Sequence, residues 1–361
     1  MTYVFAAAGT GGHVYPALAV ADALVGSGVA RSEILFVGGD RMEASTVPAA
    51  GYEFVGVDIR GLRRSLSSDN LKLPSIVLRA TRRLAGEFRS RGTRVVAAFG
   101  GYVSVPAAWA ARRAGARLFV QEQNAVPGLA NRMIAGRAVA SFVAFPDAEA
   151  RLRHSSLVGN PLRAAFGRFD RAALRAEARS WYGLDERRPV LGVLGGSLGA
   201  RVLNDLTARI ADAHDPDQLG IVHLTGRAHH DEVAARAAAS AIPWITRPFE
   251  DRMELFYACA DVVLSRAGAL TISELAVTGT PAVVVPFAAG TAGHQGANAA
   301  HLEKAGGVIV IEESEIDRVP IELEQLLADE PRRASMARAA AAEGLPDAAR
   351  LIAAALREAA T

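Results

Sequence analysis

Three glycine-rich turns carry the residues of this sequence best suited to chemistry: Gly9-Thr10-Gly11-Gly12-His13, Gly100-Gly101-Tyr102-Val103-Ser104 and Gly195-Gly196-Ser197-Leu198-Gly199. Each follows a short apolar run and precedes a helical pattern. Glycine lets backbone N–H groups approach a ligand closely, and the first turn of the next helix offers unpaired donors and positive potential, so each turn is a candidate phosphate cradle. One such turn is weak evidence, because tight strand-to-helix connections need glycine on structural grounds alone; three at matching places are stronger. No Gly-Lys-Ser/Thr follows them, which excludes a Walker loop, and the first and third lack the spacing and acidic partner of a dinucleotide site. His13 projects from its turn toward the strand ends, where an imidazole can take a proton from a hydroxyl. The alternative is that it caps the helix behind it.

A fourth constellation, Arg266–Glu274, follows the apolar run Asp261–Leu264. Its glycine turn exposes backbone amides, and Glu274, one turn into the helix, can accept both hydroxyls of a ribose; taken alone, a glutamate so placed is more often a solvated helix residue. His294-Gln295-Gly296-Ala297-Asn298 opens a helix after the strand Ala282–Phe287 and offers amide and imidazole groups to sugar hydroxyls. Asp215-Pro216-Asp217 has the outline of a metal-binding Asp-x-Asp, but in a polar loop with proline it reads as a turn. No metal site and no cofactor are expected. The single cysteine, Cys259, lies in an apolar stretch and reads as a buried, inert thiol in a reducing compartment.

The elements that must hold these turns are β-rich runs alternating with Ala-rich helical patterns: Val4–Ala8 then Pro16–Val25, Ile34–Val37, Val95–Phe99, and later Leu191–Leu194 then Val202–Ala211. Such alternation implies an α/β chain of parallel sheets with crossover helices. The strand, glycine turn and helix of Phe5–Ala17 restart at Val193–Leu203, so two Rossmann-like halves follow, and 361 residues suffice for both. The turn-forming cluster Val158–Arg163 marks the boundary, and Gly344-Leu345-Pro346 a second break. The last helix, Asp347–Ala360, carries Leu351, Ile352, Ala355 and Leu356 on one stripe and needs a partner surface. The expected division is a first domain over 1–162, rejoined by a helix within 345–361, and a second over 163–344.

Composition narrows the classes. Half of the residues are hydrophobic and 22% charged, which describes a folded chain and excludes disorder. The start has no basic leader and reads as a first buried strand, so no signal peptide is expected. The longest uncharged run, Val95–Ala111, is interrupted by glycines and a proline and falls short of the roughly 20 residues of a membrane span. Charge is uneven: 20 Lys/Arg against 11 Asp/Glu up to Arg163, and 20 against 27 thereafter. A basic first half suits an anionic partner (phospholipid, lipid diphosphate or nucleic acid) or is simply an Arg-rich solvated surface. In Leu71–Arg91, apolar Leu73, Ile76, Val77, Leu78, Leu84 and Phe88 mingle with Lys72, Arg79, Arg82, Arg83, Arg89 and Arg91, which suits an anionic membrane interface or an ordinary helix with one buried stripe. Nucleic-acid binding has neither aromatic interleaving nor a recognised module behind it.

Taken in order, Gly9–His13 with Pro16-Ala17-Leu18-Ala19, Gly100–Ser104, Gln121-Glu122-Gln123-Asn124-Ala125-Val126-Pro127-Gly128, Gly159–Arg163, Gly195–Ala200 and Arg266–Glu274 closely resemble the motifs of the MurG family of N-acetylglucosaminyltransferases, from the first strand to about Gly307. The resemblance implies a GT-B fold, two Rossmann-like domains with parallel sheets facing an interdomain cleft, the first handling the acceptor and the second mainly UDP-N-acetylglucosamine. It implies inverting transfer of N-acetylglucosamine to the C4 hydroxyl of the muramoyl sugar of lipid I, an undecaprenyl diphosphate-linked muramoyl pentapeptide, forming lipid II for peptidoglycan. The expected place is the cytoplasm, peripheral on the anionic inner face of the cell membrane, with no nucleic-acid partner.

By the same resemblance His13 is the general base. Thr10, Gly11, Gly12 and His13 border the donor; Thr10, Gly12, Tyr102, Ser104 and Glu122 border the acceptor. Asn124 faces the donor sugar, Arg163 and Ser197 its diphosphate, and Phe249 and Met253 the uracil. Ala269, Leu270 and Thr271 supply backbone contacts, Glu274 holds the ribose, and Gln295 and Asn298 contact the sugar. The chain departs from the family at His294, where many members carry glutamine, at Gln121, which replaces a histidine, and at Val105, which replaces a glycine. Three alternatives stay open: another GT-B enzyme such as an antibiotic or glycolipid transferase or a UDP-N-acetylglucosamine 2-epimerase, a catalytically silent nucleotide-sugar binder, and a nucleic-acid-binding basic half.

Overall fold

The computed structural model describes residues 2–58, 73–196, 198–287 and 294–361, with the backbone alone at Leu73. Ser197, Leu71, Lys72 and the Leu73 side chain therefore lie outside the described residues.

The chain divides into two compact units, one running to Ala164 and including Pro346–Thr361, the other Ala165–Leu345. In the first, β1 (Thr2–Ala6), β2 (Ile34–Gly38), β3 (Glu53–Gly56), β4 (Thr93–Ala98), β5 (Arg117–Glu122), β6 (Ala140–Val143) and β7 (Ser155–Leu157) form one sheet in the order β3-β2-β1-β4-β5-β6-β7, all parallel. In the second, β8 (Val190–Leu194), β9 (Gly220–Leu224), β10 (Trp244–Arg247), β11 (Val262–Ser265), β12 (Ala282–Val284) and β13 (Val308–Val310) form another in the order β10-β9-β8-β11-β12-β13, again parallel. The strand order is that of a Rossmann fold twice over. Each unit therefore has a topological switch point, between β1 and β4 and between β8 and β11, where the loops leaving adjacent strands diverge and open a crevice.

The near-continuous apolar strands follow from burial on both faces. In the first unit, Tyr3 and Phe5 of β1 enter one core with α1 (Gly11–Gly26) and the helix Ala348–Ala360, while the alternate residues Val4 and Ala6 enter the other. Phe5 stacks between Phe36 and Phe99, with centroids 5.2 and 5.7 Å away. After α2 (Glu43–Ala49), α3 (Leu73–Ser90) and α4 (Ser104–Ala114) cover that second face. The second unit repeats the scheme, with Leu203, Leu206 and Ile210 of the helix Arg201–Asp212 packed on Leu191 and Val193.

Two expected stripes shift. The last helix buries Ile352, Ala353, Leu356 and Ala360 and leaves Leu351 43% exposed, because residues spaced by four, not Leu351, meet α1. On α3, Leu84 and Phe88 are buried against the sheet and α4, so they belong to the core and leave the expected membrane-facing set. Arg91 leaves it too, held by Glu53 and Glu87. Leu78 stays exposed among Arg79, Arg82 and Arg83. Cys259 is buried, and burial pushes its thiol up to about 11, as an inert thiol requires. Asp215-Pro216-Asp217 is a turn closed by the Gln218 N–H donating to the Asp215 carbonyl at 3.1 Å. Among the described residues no group of three His, Cys, Asp or Glu is placed to hold a metal, and no helix is long and apolar enough to cross a membrane.

Candidate functional site

The first two glycine turns meet because they leave β1 and β4, the neighbours at the switch point of the first unit. α1 begins at Gly11, behind Thr10, whose side chain makes no capping bond, so the first helical amides are not covered by their own cap. His13 does not cap the helix either. Its Nδ1 lies 2.8 Å from the Ala8 carbonyl oxygen, which can only accept, so Nδ1 carries the proton and Nε2 presents a lone pair. Burial pushes the imidazole below its ordinary value, outweighing the Ala8 hydrogen bond and the Glu122 and Glu43 carboxylates, which pull it up. A neutral imidazole with Nε2 bare is the state of a general base.

The Gly100-Gly101 pair has a steric reason. Gly100 has φ +99°, and a Cβ there would stand 2.8 Å from both Cδ2 and Nε2 of His13. Gly101, φ +78°, brings its backbone against the Ala8 carbonyl, where a Cβ would collide. Ser104 is fully buried and its Oγ accepts the Gly100 N–H at 3.1 Å, which places it beneath the loop. Tyr102 is 45% exposed beside it.

Glu122, at the end of β5, is 1% exposed. Its carboxylate accepts from the Asn124 and Gly128 backbone N–H groups, both at 3.0 Å, and from Asn124 Nδ2 and Asn131 Nδ2 at 3.2 and 2.9 Å. All four donors shape the loop that carries Asn124. Gln121 and Gln123 extend this buried network: Gln123 Nε2 donates to the Phe99 carbonyl at 2.8 Å, and Asn160 Nδ2 to the Gln123 carbonyl at 3.1 Å. Gln121 thus sits in packing beneath the site, and Val105 packs on the α4 core. Arg163 falls in the first unit, its guanidinium 5.1 Å from the Tyr15 ring on α1. Glu43, which no motif singled out, accepts the Gly9 N–H at 3.1 Å and the Gly39 N–H at 3.0 Å.

The remaining described candidates lie in the second unit, beyond the C-terminal ends of β8, β10, β11 and β12. Gly195 and Gly199 are required by backbone contacts with Ala200 and Thr225, which a Cβ would enter. The helix Ala269–Thr278 starts behind Gly268, which has no side chain to cap the amides of Ala269, Leu270 and Thr271. Glu274, half-buried on that helix, accepts the Tyr257 hydroxyl at 2.8 Å, so it is an oriented carboxylate and not a solvated one. Asn298 is buried and donates to the Ala267 carbonyl at 3.3 Å, and Gln295 Oε1 accepts the Phe287 N–H at 2.9 Å; both brace the loops after β11 and β12. His294 is half-buried at the head of their helix. Met253 is buried, and Phe249 lies 6.0 Å from the Arg227 guanidinium. Tyr257 and Glu43 escape sequence reading because their roles depend on partners 17 and 34 residues away.

Residues 3–143 match the N-terminal domain of glycosyltransferase family 28, and residues 190–352 its C-terminal domain. The chain is 40% identical to the UDP-N-acetylglucosamine–N-acetylmuramyl-(pentapeptide) pyrophosphoryl-undecaprenol N-acetylglucosamine transferase of Acidothermus cellulolyticus, covering 96% of this chain and 95% of the relative. The crystal structure of Acinetobacter baumannii MurG has a TM-score of 0.77 at 28% identity, over 99% of this chain and all of that one. UDP-GlcNAc 2-epimerase from Neisseria meningitidis, bound to UDP-GlcNAc, has a TM-score of 0.67 over 99% of this chain and 100% of that one. At 12% identity it shares the fold alone. The two Rossmann-like units with these likenesses are those of a GT-B fold.

Proposed function

Because this chain belongs to glycosyltransferase family 28, we propose that it transfers N-acetylglucosamine from UDP-N-acetylglucosamine to the C4 hydroxyl of the muramoyl sugar of lipid I, making lipid II. The observation that carries the reaction is His13, its Nδ1 committed to the Ala8 carbonyl and its Nε2 left as the only basic nitrogen of the loop. In the proposed step the acceptor O4 attacks the anomeric carbon and the bond from that carbon to the UDP oxygen breaks, inverting the centre. The O4 proton passes to His13 Nε2 and the electron pair leaves on UDP. A positioned base supplies about 10²–10⁴-fold.

The first unit is assigned the acceptor, with the amides behind Thr10 and the side chain of Tyr102 at its diphosphate. Ser104 and Glu122 act on the acceptor side from beneath, by shaping their loops. The second unit is assigned the donor: Glu274 on the ribose hydroxyls, Phe249 and Met253 about the uracil, and the amides of Ala269, Leu270 and Thr271 on the diphosphate. Preorganised helix-terminal amides stabilise a leaving diphosphate without reorganising. Asn124, Gln295 and Asn298 are assigned to the sugar, and Arg163 and Ser197 to the diphosphate.

The partner surface we assign is the anionic cytoplasmic face of the membrane, met by the face that α3 and α4 cover. What supports this reading is the company kept there: exposed Leu78 with Arg79, Arg82 and Arg83, and exposed Trp109 beside a cleft lined by Arg112, Arg113 and Arg137. Apolar and cationic side chains together favour an anionic interface.

The test is transfer of radiolabelled N-acetylglucosamine from UDP-N-acetylglucosamine to a short-chain lipid I analogue, with and without EDTA. We expect EDTA-resistant transfer that falls about 10²–10⁴-fold in His13→Ala while UDP affinity is kept. Tight UDP binding without transfer by the unaltered protein would instead mean a different acceptor or a silent binder.

A further inference from the structure

Glu43 is 1% exposed at the start of α2, in a niche made for it. A Cβ on Gly38 would meet Glu43 Cγ at 2.8 Å, and one on Gly39 would meet Oε1 at 3.0 Å, so both glycines leave the room that the side chain fills. Oε1 accepts the Gly39 N–H and Oε2 the Gly9 N–H, and one carboxylate thereby clasps the loops that follow β1 and β2. Among the described residues no Lys or Arg pairs with it. Burying a carboxylate is costly, and two neutral donors offset only part of that cost, so these two hydrogen bonds alone do not account for the residue.

Its position accounts for it better. Gly9 follows Ala8, the residue whose carbonyl fixes the His13 tautomer, and at φ +100° it turns that peptide. Gly101 seats its backbone against the same carbonyl. Glu43 thus holds the peptide that holds the imidazole. Among the described residues the charged groups that bear on His13 are Glu122 from β5 and Glu43 from α2, and both favour its protonated form.

We propose that Glu43 is a positioning residue of the transfer reaction: it locks the Ala8–Gly9 turn that aims His13 Nε2, and its charge supports the imidazolium formed when His13 takes the acceptor proton. This rests on the assignment of His13 as base. The experiment uses the full chain and has two readouts. The His13 imidazole C2 proton, identified by its loss in His13→Ala, is titrated by NMR in the wild type and in Glu43→Gln; kcat with the lipid I analogue and UDP affinity are measured beside it. We expect Glu43→Gln to lower the His13 midpoint by about half a pH unit and kcat about tenfold, with UDP affinity within about twofold. In Glu43→Gln an unmoved midpoint overturns the proposal whatever becomes of kcat, and so does a wild-type kcat.

If the wild type itself makes no product, the acceptor assignment fails, and an unmoved midpoint in Glu43→Gln would still overturn the role of Glu43. Should Glu43→Gln not fold, Glu43→Asp decides: it keeps the charge but is one methylene too short to span both N–H groups. We expect a wild-type midpoint with kcat about tenfold down; a wild-type kcat overturns the proposal.

Discussion

A histidine acts as a base only through a nitrogen that carries no proton, and in this chain the Ala8 carbonyl decides which nitrogen that is. The pH dependence follows. Burial lowers the folded-state affinity of His13 for its proton, and the neutral form is the working one. kcat/KM should therefore rise with pH through a midpoint below the ordinary histidine value of about 6.5, and be level by neutral pH. A profile over pH 5–8 checks this, and a midpoint above that value would contradict the assignment. Gly100 is the complementary test. At φ +99°, with His13 Nε2 where a Cβ would go, Gly100→Ala should strain the loop and push the ring aside. We expect kcat to fall at least about tenfold with UDP affinity unchanged, since the donor-assigned cluster of the second unit is untouched. The glycines and His13 were legible as chemistry in the sequence. Their steric fit was not, because Gly100 and His13 are neighbours only across the β1–β4 switch point.

At the scale of elements, the amphipathic stripes were legible in kind and misjudged in detail. Spacing places Leu351 on the buried stripe of the last helix; the helix buries Ile352, Ala353, Leu356 and Ala360 instead. A stripe read from spacing has an uncertain edge, and packing against a particular partner decides which boundary residue is covered. Equilibrium unfolding separates the two cases. Leu356→Ala, which removes a fully buried side chain, should cost about 2–5 kcal/mol, and Leu351→Ala less than about 0.5 kcal/mol. α3 follows the same logic: its mixture of apolar and basic residues satisfied both a membrane reading and a core reading. Leu84 and Phe88 went to the core, leaving Leu78 and the arginines outside.

Over the whole molecule, Lys and Arg outnumber Asp and Glu up to Arg163, and the proposed membrane contact gives that excess an anionic partner. Sedimentation with vesicles containing anionic lipid tests this. Replacing Arg82, Arg83 and Arg112 by glutamate should weaken binding by at least about 1 kcal/mol per residue and abolish its salt dependence, while the melting temperature holds, because all three are exposed. Binding equal to the wild type would remove the membrane from the assignment. Strand, turn and helix succession was written locally, in apolar runs, helical periodicity and glycine placement, so the sequence by itself determined two parallel α/β units and the residues at their strand ends. Tertiary structure decided what local spacing cannot carry. Glu43 reaches Gly9 across 34 residues, and Arg357 donates to the Ser27 carbonyl across 330. Such pairs form only when whole elements pack, and the clasp of Glu43 on the peptide that holds His13, the bracing of Glu274 by Tyr257 and the partner of the last helix are all set by contacts between elements.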